Sequence, residues 1–249
     1  MPTIDLDHIS TLYRTHRDDL ARTRDHIRTL PTTLPPTPAP DDIEAEITYL
    51  LIRHHTPDHI VRIGTTTSTA TAWTLTALHH NGTGHLHTFD NHDPHPHHLP
   101  PGMDPQRWHH TKGDVRAKLT HLPEHTGFLT LDSTHGGWFA RWYLHHLLPT
   151  LTPHTPIAVH GVFRHPHTPP FTEGALVLSW LANNTTGYFT ASAARAPHTH
   201  RALTDLKTDL DLHTPLHTTR TDPAIFFHLP HRPHPASPAT TRPRAHATT

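Results

Sequence analysis

The sequence predicts an α/β fold, a doubly wound and mostly parallel sheet of the Rossmann-like kind, on three observations. Short β-rich runs alternate with segments of helical periodicity. The stretches between those runs are long enough for the crossover helices that parallel strands require. Polar residues recur at the ends of successive strands, where such sheets place their ligands. A chain of 249 residues has room for one full-sized domain with a buried core.

Taken in order, Ile4, Ile9, Leu12, Tyr13, Leu20, Ile27 and Leu30 stand among Asp and Arg at the spacing of an amphipathic helix or helix pair. Prolines at 31, 35, 36, 38 and 40 remove the amide donors that helix or sheet needs, so residues 31–40 read as an extended linker. Asp41 or Asp42 then caps a helix striped by Ile43, Ile47, Leu50 and Leu51, which should stop near Thr56 because Pro57 disfavours helical geometry before it. A strand at Ile60–Ile63 follows, then a helix over Thr71–His79, the Asn81-Gly82-Thr83-Gly84 turn and a strand at Leu86–Phe89 closed by Asp90.

Beyond a Pro- and His-rich loop the pattern continues with a strand at Trp108–Thr111, a short helix over Val115–Leu122 and a strand at Phe128–Leu131. A helix over Phe139–Leu148, a strand at Ile157–His160, a helix over Ala175–Leu181 and strand-like runs at Gly187–Thr190 and Ala224–Phe227 complete one sheet. From 231 to 249 the chain is polar and Pro-punctuated, without an apolar period to offset ordering, and reads as a disordered tail. The organisation is therefore 1–40 helical extension and linker, 41–230 α/β domain, and 231–249 tail.

Composition narrows the function. Twenty Lys and Arg against 21 Asp and Glu leave a net charge of −1, so no global basic field exists to hold a nucleic acid. The absence of cysteine excludes disulfides, thiolate nucleophiles and Cys-based metal sites. No run approaches a membrane span and no leader-like N-terminus is present, so a cytoplasmic protein is expected. The 33 histidines and 27 prolines, with abundant Thr, point to C-rich codons, so a histidine needs more than its identity to count as functional.

The strand ends carry Gly64, then Asp90, then Gly113-Asp114-Val115, then Asp132 with His135, and finally His160. A carboxylate at the end of the second strand is placed to accept hydrogen bonds from ribose hydroxyls, the role assigned to Asp90. Asp114 suits the exocyclic amine of a purine and Val115 its ring face; Asp114 also reads as a helix cap, and the two roles are compatible.

The order of segments resembles a class I S-adenosylmethionine-dependent methyltransferase, of the small bacterial group with a helical N-terminal extension. The resemblance covers about residues 42–229. It rests on Glu46-Ile47-Thr48-Tyr49-Leu50-Leu51, Ile60-Val61-Arg62-Ile63-Gly64-Thr65, Thr88-Phe89-Asp90, Gly113-Asp114-Val115-Arg116, Leu131-Asp132-Ser133-Thr134-His135, Ala158-Val159-His160-Gly161-Val162, Trp142-Tyr143-Leu144 and Glu173-Gly174 before Trp180-Leu181. It implies S-adenosylmethionine as cofactor, held by Gly64, Thr65, Ser68, Asp90, Gly113, Asp114, Val115 and Asp132, and methyl transfer to an oxygen or nitrogen of a small molecule. His135 or His160 is the candidate base, without a metal. Trp138, Phe139, Trp142 and Tyr143 either wall the acceptor pocket or belong to the core.

Three positions depart from the family: Arg62 stands where an acid is usual, Ser68 where a second glycine is usual, and Gly161 where an acid often follows the histidine. A guanidinium at 62 should repel the ammonium end of the cofactor's methionine portion unless it turns toward that portion's carboxylate. The alternative is a non-catalytic scaffold that keeps the sheet. A homo-oligomer is compatible with either.

Overall fold

Six strands form one sheet in the computed structural model: β1 (His59–Ile63), β2 (His85–Asp90), β3 (Trp108–Lys112), β4 (Phe128–Leu131), β5 (Pro156–Val159) and β6 (Ile225–His228). Their order is β3-β2-β1-β4-β5-β6, with β6 alone antiparallel. The structure describes residues 3–30, 42–64, 69–93, 98–132, 136–163, 168–216 and 224–231. The expected linker, Thr65 and Ser68 of the first loop, His135, and the expected tail beyond His231 lie outside the described residues.

Side chains alternate across the pleat, so each strand feeds two cores. Ile60, Leu86, Phe128, Ala158 and Phe226 face one layer, while Val61, Phe89, Leu129, Ile157 and Phe227 face the other. The first layer is built from α1 (Leu6–Thr15), α2 (Arg17–Thr29), α3 (Asp42–His55), α4 (Thr69–Asn81) and α7 (Pro197–Asp209). The second holds α5 (Gly137–Trp142) and α6 (Glu173–Asn183). Asp5 starts α1 by accepting from the His8 amide at 2.8 Å, and the N-terminal segment is a helix pair, one of the two forms its spacing allowed.

Three expectations need correction, and one helix was not anticipated. The helix expected over Val115–Leu122 is two separate 3-10 turns, Val115–Ala117 and Leu119–His121. Asp114 caps the amide only two residues on, and Lys118 leaves helical geometry at φ −127°. The helix over Phe139–Leu148 starts earlier, at Gly137, and changes pitch: Tyr143–Leu147 widens to a π-helical turn and Leu148–Thr150 tightens to 3-10. Pro149 offers no N–H to the carbonyl four residues back, which disrupts the regular ladder there. Gly187–Thr190 is no strand; Phe189 alone bridges Phe226. The sequence reading also missed α7, whose apolar Leu203 and Leu206 stand among His, Thr, Arg and Asp, although Pro197 at its first turn is a start signal.

One buried tie binds the helical layer. Glu46 of α3, fully buried, accepts from Tyr13 Oη at 2.7 Å and from Lys207 Nζ of α7 at 3.0 Å, and it pairs with Arg24 of α2. Buried charges persist when paired and hydrogen-bonded, and here one carboxylate joins four helices.

Candidate functional site

The strand order turns back between β1 and β4: from β1 the chain builds outward through β2 and β3, then returns to place β4 and β5 on the other side. A doubly wound sheet opens its ligand crevice at such a point, beyond the C-terminal strand ends. Backbone bonds fasten those ends to one another. Gly64 donates to Phe89 O at 2.8 Å, Gly113 to Asp90 O at 2.8 Å, Asp132 to Ile63 O at 2.9 Å and His160 to Leu131 O at 2.9 Å. Gly64, Asp90, Gly113, Asp132 and His160 therefore share one rim, with Asp114 and Val115 adjoining Gly113.

On that rim the groups differ in what they already hold. Asp90 accepts from the His92 amide at 3.0 Å and faces His92 Nδ1 at 3.1 Å. Gly113 sits at φ +116°, a backbone region that L side chains resist. A Cβ there would meet only Lys118 Cε, at 3.9 Å, so the strand end is open. Asp114 caps the Arg116 amide at 2.9 Å and is clasped by the same residue's guanidinium, Nη2 to Oδ2 at 2.6 Å; that hydrogen-bonded pair holds its carboxyl below the usual range. Val115 is buried.

Between the sheet and α3 lies a buried charge cluster. Arg62, fully enclosed, donates from Nη2 to Asp132 Oδ2 at 2.6 Å. Burial lowers the pKa of Arg62, while Asp132, Glu44 and Asp90 oppose the fall. The guanidinium is thus paired with a carboxylate of the protein, Asp132. His160, also buried, sets Nδ1 at 3.1 Å from Oε1 of Glu44. Burial pulls its pKa down, but Glu44 and Asp132 outweigh it and hold the imidazole above its ordinary value. Gly161 follows at φ +70°, a left-handed conformation that glycine adopts without steric cost.

Glu44 is the group that sequence reasoning missed. Its signal was present: Glu44 and Glu46 interrupt a helix that is buried along the whole of Ile43–Ile52, and acids in such a setting must have partners. Among the acceptor-pocket candidates, Tyr143 is a core residue whose hydroxyl donates to Glu173 at 3.0 Å, Phe139 stacks on Trp142, and Trp138 is 85% exposed. Among the described residues, no three His, Asp or Glu side chains are grouped to hold a metal ion. No described helix is long and apolar enough to cross a membrane.

Comparison with known proteins agrees with this architecture. A methyltransferase-domain family model matches residues 61–162, from β1 through the loop after β5. No curated protein sequence matches. Among solved structures, the O-methyltransferase TomG of Streptomyces achromogenes, involved in tomaymycin synthesis and crystallised with S-adenosylmethionine, is 13% identical with a TM-score of 0.50, over 86% of this chain and 90% of that one. An O-methyltransferase from Bacillus cereus in complex with S-adenosylhomocysteine is also 13% identical, over 86% of this chain and 90% of that one, with a TM-score of 0.45. The methyltransferase-domain match covers residues 61–162, less than half of the chain, and both it and the strand order agree with the resemblance to class I S-adenosylmethionine-dependent methyltransferases.

Proposed function

We propose that the chain transfers a methyl group from S-adenosylmethionine to an oxygen or nitrogen of a small-molecule acceptor. The observation that carries this reading is the single rim on which Asp90, Gly113 and Asp132 meet at the point where the strand order turns back. The groups there suit a nucleoside. Asp90 would accept from ribose hydroxyls; Asp114, with lone pairs beyond those used by Arg116, would accept from the adenine amine; Val115 would meet the ring face. The open side of Gly113 leaves space for close approach of the ligand to the backbone. S-adenosylmethionine, when bound, supplies an electrophilic sulfonium methyl.

The chain's own contribution is positioning and control of charge. Asp132 neutralises Arg62, so the base of the crevice is not dominated by the guanidinium. His160 stands beside Asp132 and presents an imidazole to the same end of the sheet. His135, which lies outside the described residues, remains a second candidate for the proton acceptor.

The test is isothermal calorimetry with S-adenosylmethionine and S-adenosylhomocysteine, alongside thermal melting. Saturable binding, a rise in Tm with ligand and weaker binding by Asp90→Ala are expected. Absence of binding to either compound refutes the cofactor reading. It would favour the scaffold alternative. Arg62→Glu would crowd a further carboxylate against Glu44 and Asp132, so the discriminating revertant is Ser68→Gly: binding gained there alone identifies a decayed loop.

A further inference from the structure

We propose that Glu44 is a positioning residue of the methyl-transfer site, which fixes the His160 ring through Nδ1 and leaves Nε2 to meet the acceptor atom. The inference rests on the cofactor reading above and adds to it a residue from outside the strand-end motifs. His160 is 4% exposed and Glu44 is 3% exposed, with Nδ1 and Oε1 3.1 Å apart. The contact is an ion pair between two buried groups, which restrains the ring at one nitrogen and so at the other. The Nε2 atom is buried and has no hydrogen-bond partner among the described residues. A buried polar nitrogen left so is costly, and a ligand atom arriving at the rim would relieve that cost.

The charges around the ring decide what it offers. Glu44 faces it from α3 and Asp132 from the end of β4, while Arg62 of β1 is the opposing cation. The pKa of His160 is correspondingly held above the ordinary histidine value despite burial. Glu44 therefore raises the basicity of the ring as well as restraining it. It does so without touching the acceptor.

Imidazole nitrogen resonances, followed by heteronuclear NMR across a pH series, test both halves, with His160 assigned by its loss in His160→Gln. In the wild-type protein His160 should titrate above the usual value, and in Glu44→Gln its midpoint should fall by about one pH unit or more. An ordinary midpoint in the wild type overturns the proposal, and this measurement stands even if Glu44→Gln fails to fold. An unchanged midpoint in a folded Glu44→Gln overturns it equally. In protein saturated with S-adenosylhomocysteine, 4-nitrophenol as an oxygen probe should move the Nε2 resonance and 4-nitroanisole should not. An unmoved Nε2 overturns the acceptor contact. Failure of S-adenosylhomocysteine to bind instead overturns the cofactor reading, and the ligand-free titration still decides whether Glu44 governs His160.

Discussion

Arg62 brings a guanidinium into a strand interior, and its partner Asp132 is itself mostly buried. Removing one member of such a pair strands the other, so Arg62→Ala should lower unfolding stability by about 3–5 kcal/mol in urea denaturation. A double Arg62→Met, Asp132→Leu variant should recover most of it, because the desolvation cost leaves with both charges. His160 adds a pH dependence of known sign. Its folded-state pKa lies above its unfolded value, so its contribution is complete below about pH 6.5 and is lost as pH rises through the folded value. The Tm of His160→Gln should therefore lack the decline on the alkaline side that the wild type shows. At this scale the sequence was legible wherever a polar residue ended a strand: Asp90, Asp132 and His160 could each be placed on one rim from alternation alone. Glu44 was not, because its neighbour in space comes from a strand more than a hundred residues away and helical periodicity carries no such pairing.

Among the elements, α3 is unusual in being buried along nearly its whole length while carrying two buried acids, Glu44 and Glu46, each with its own task. Glu44 serves the sheet side, and Glu46 gathers Tyr13, Arg24 and Lys207 from three other helices. Glu46→Ala would leave two buried cations without their anion and should cost about 3–5 kcal/mol. Hydrogen–deuterium exchange should then show α1, α2 and α7 losing protection together, ahead of the parallel strands. A loss confined to one helix would contradict the shared tie. The apolar stripe of α3 was plain in the sequence, but the short turns after β3 were not. Residues 115–122 have the composition of a helix, and it is the cap spacing at Asp114 and the break at Lys118 that shorten them.

For the whole molecule, the strand order could be anticipated only as a class. Strand–helix alternation implies a parallel sheet, yet periodicity does not say which strands adjoin, and the final β6 runs antiparallel. The same layout leaves part of one sheet face with only short turns for cover after β3. A row of histidines lies on that face, with His59 Nδ1 at 3.1 Å from His87 Nε2 and His85 stacked on His109. Burial, helped by His109, His59 and His85, lowers the His87 pKa to about 4, and burial with His54, His228 and His8 does the same for His55. Both should be neutral in the native protein and charged in the unfolded chain below about pH 6.5, so stability should drop as pH falls from there toward about 4. Acid melting curves of His55→Asn and His87→Asn should each be shallower than the wild type, by an amount reduced by solvent screening at these half-buried rings.

The carboxylate that joins four helices also limits how the protein can be cut. A fragment beginning at residue 42 would lack Tyr13 and Arg24, lay bare the surface that Ile9, Leu12, Leu20 and Ile27 cover, and keep Lys207 as the remaining cation of that knot. Such a fragment should aggregate or melt early, even though every strand-end residue would still be encoded in it.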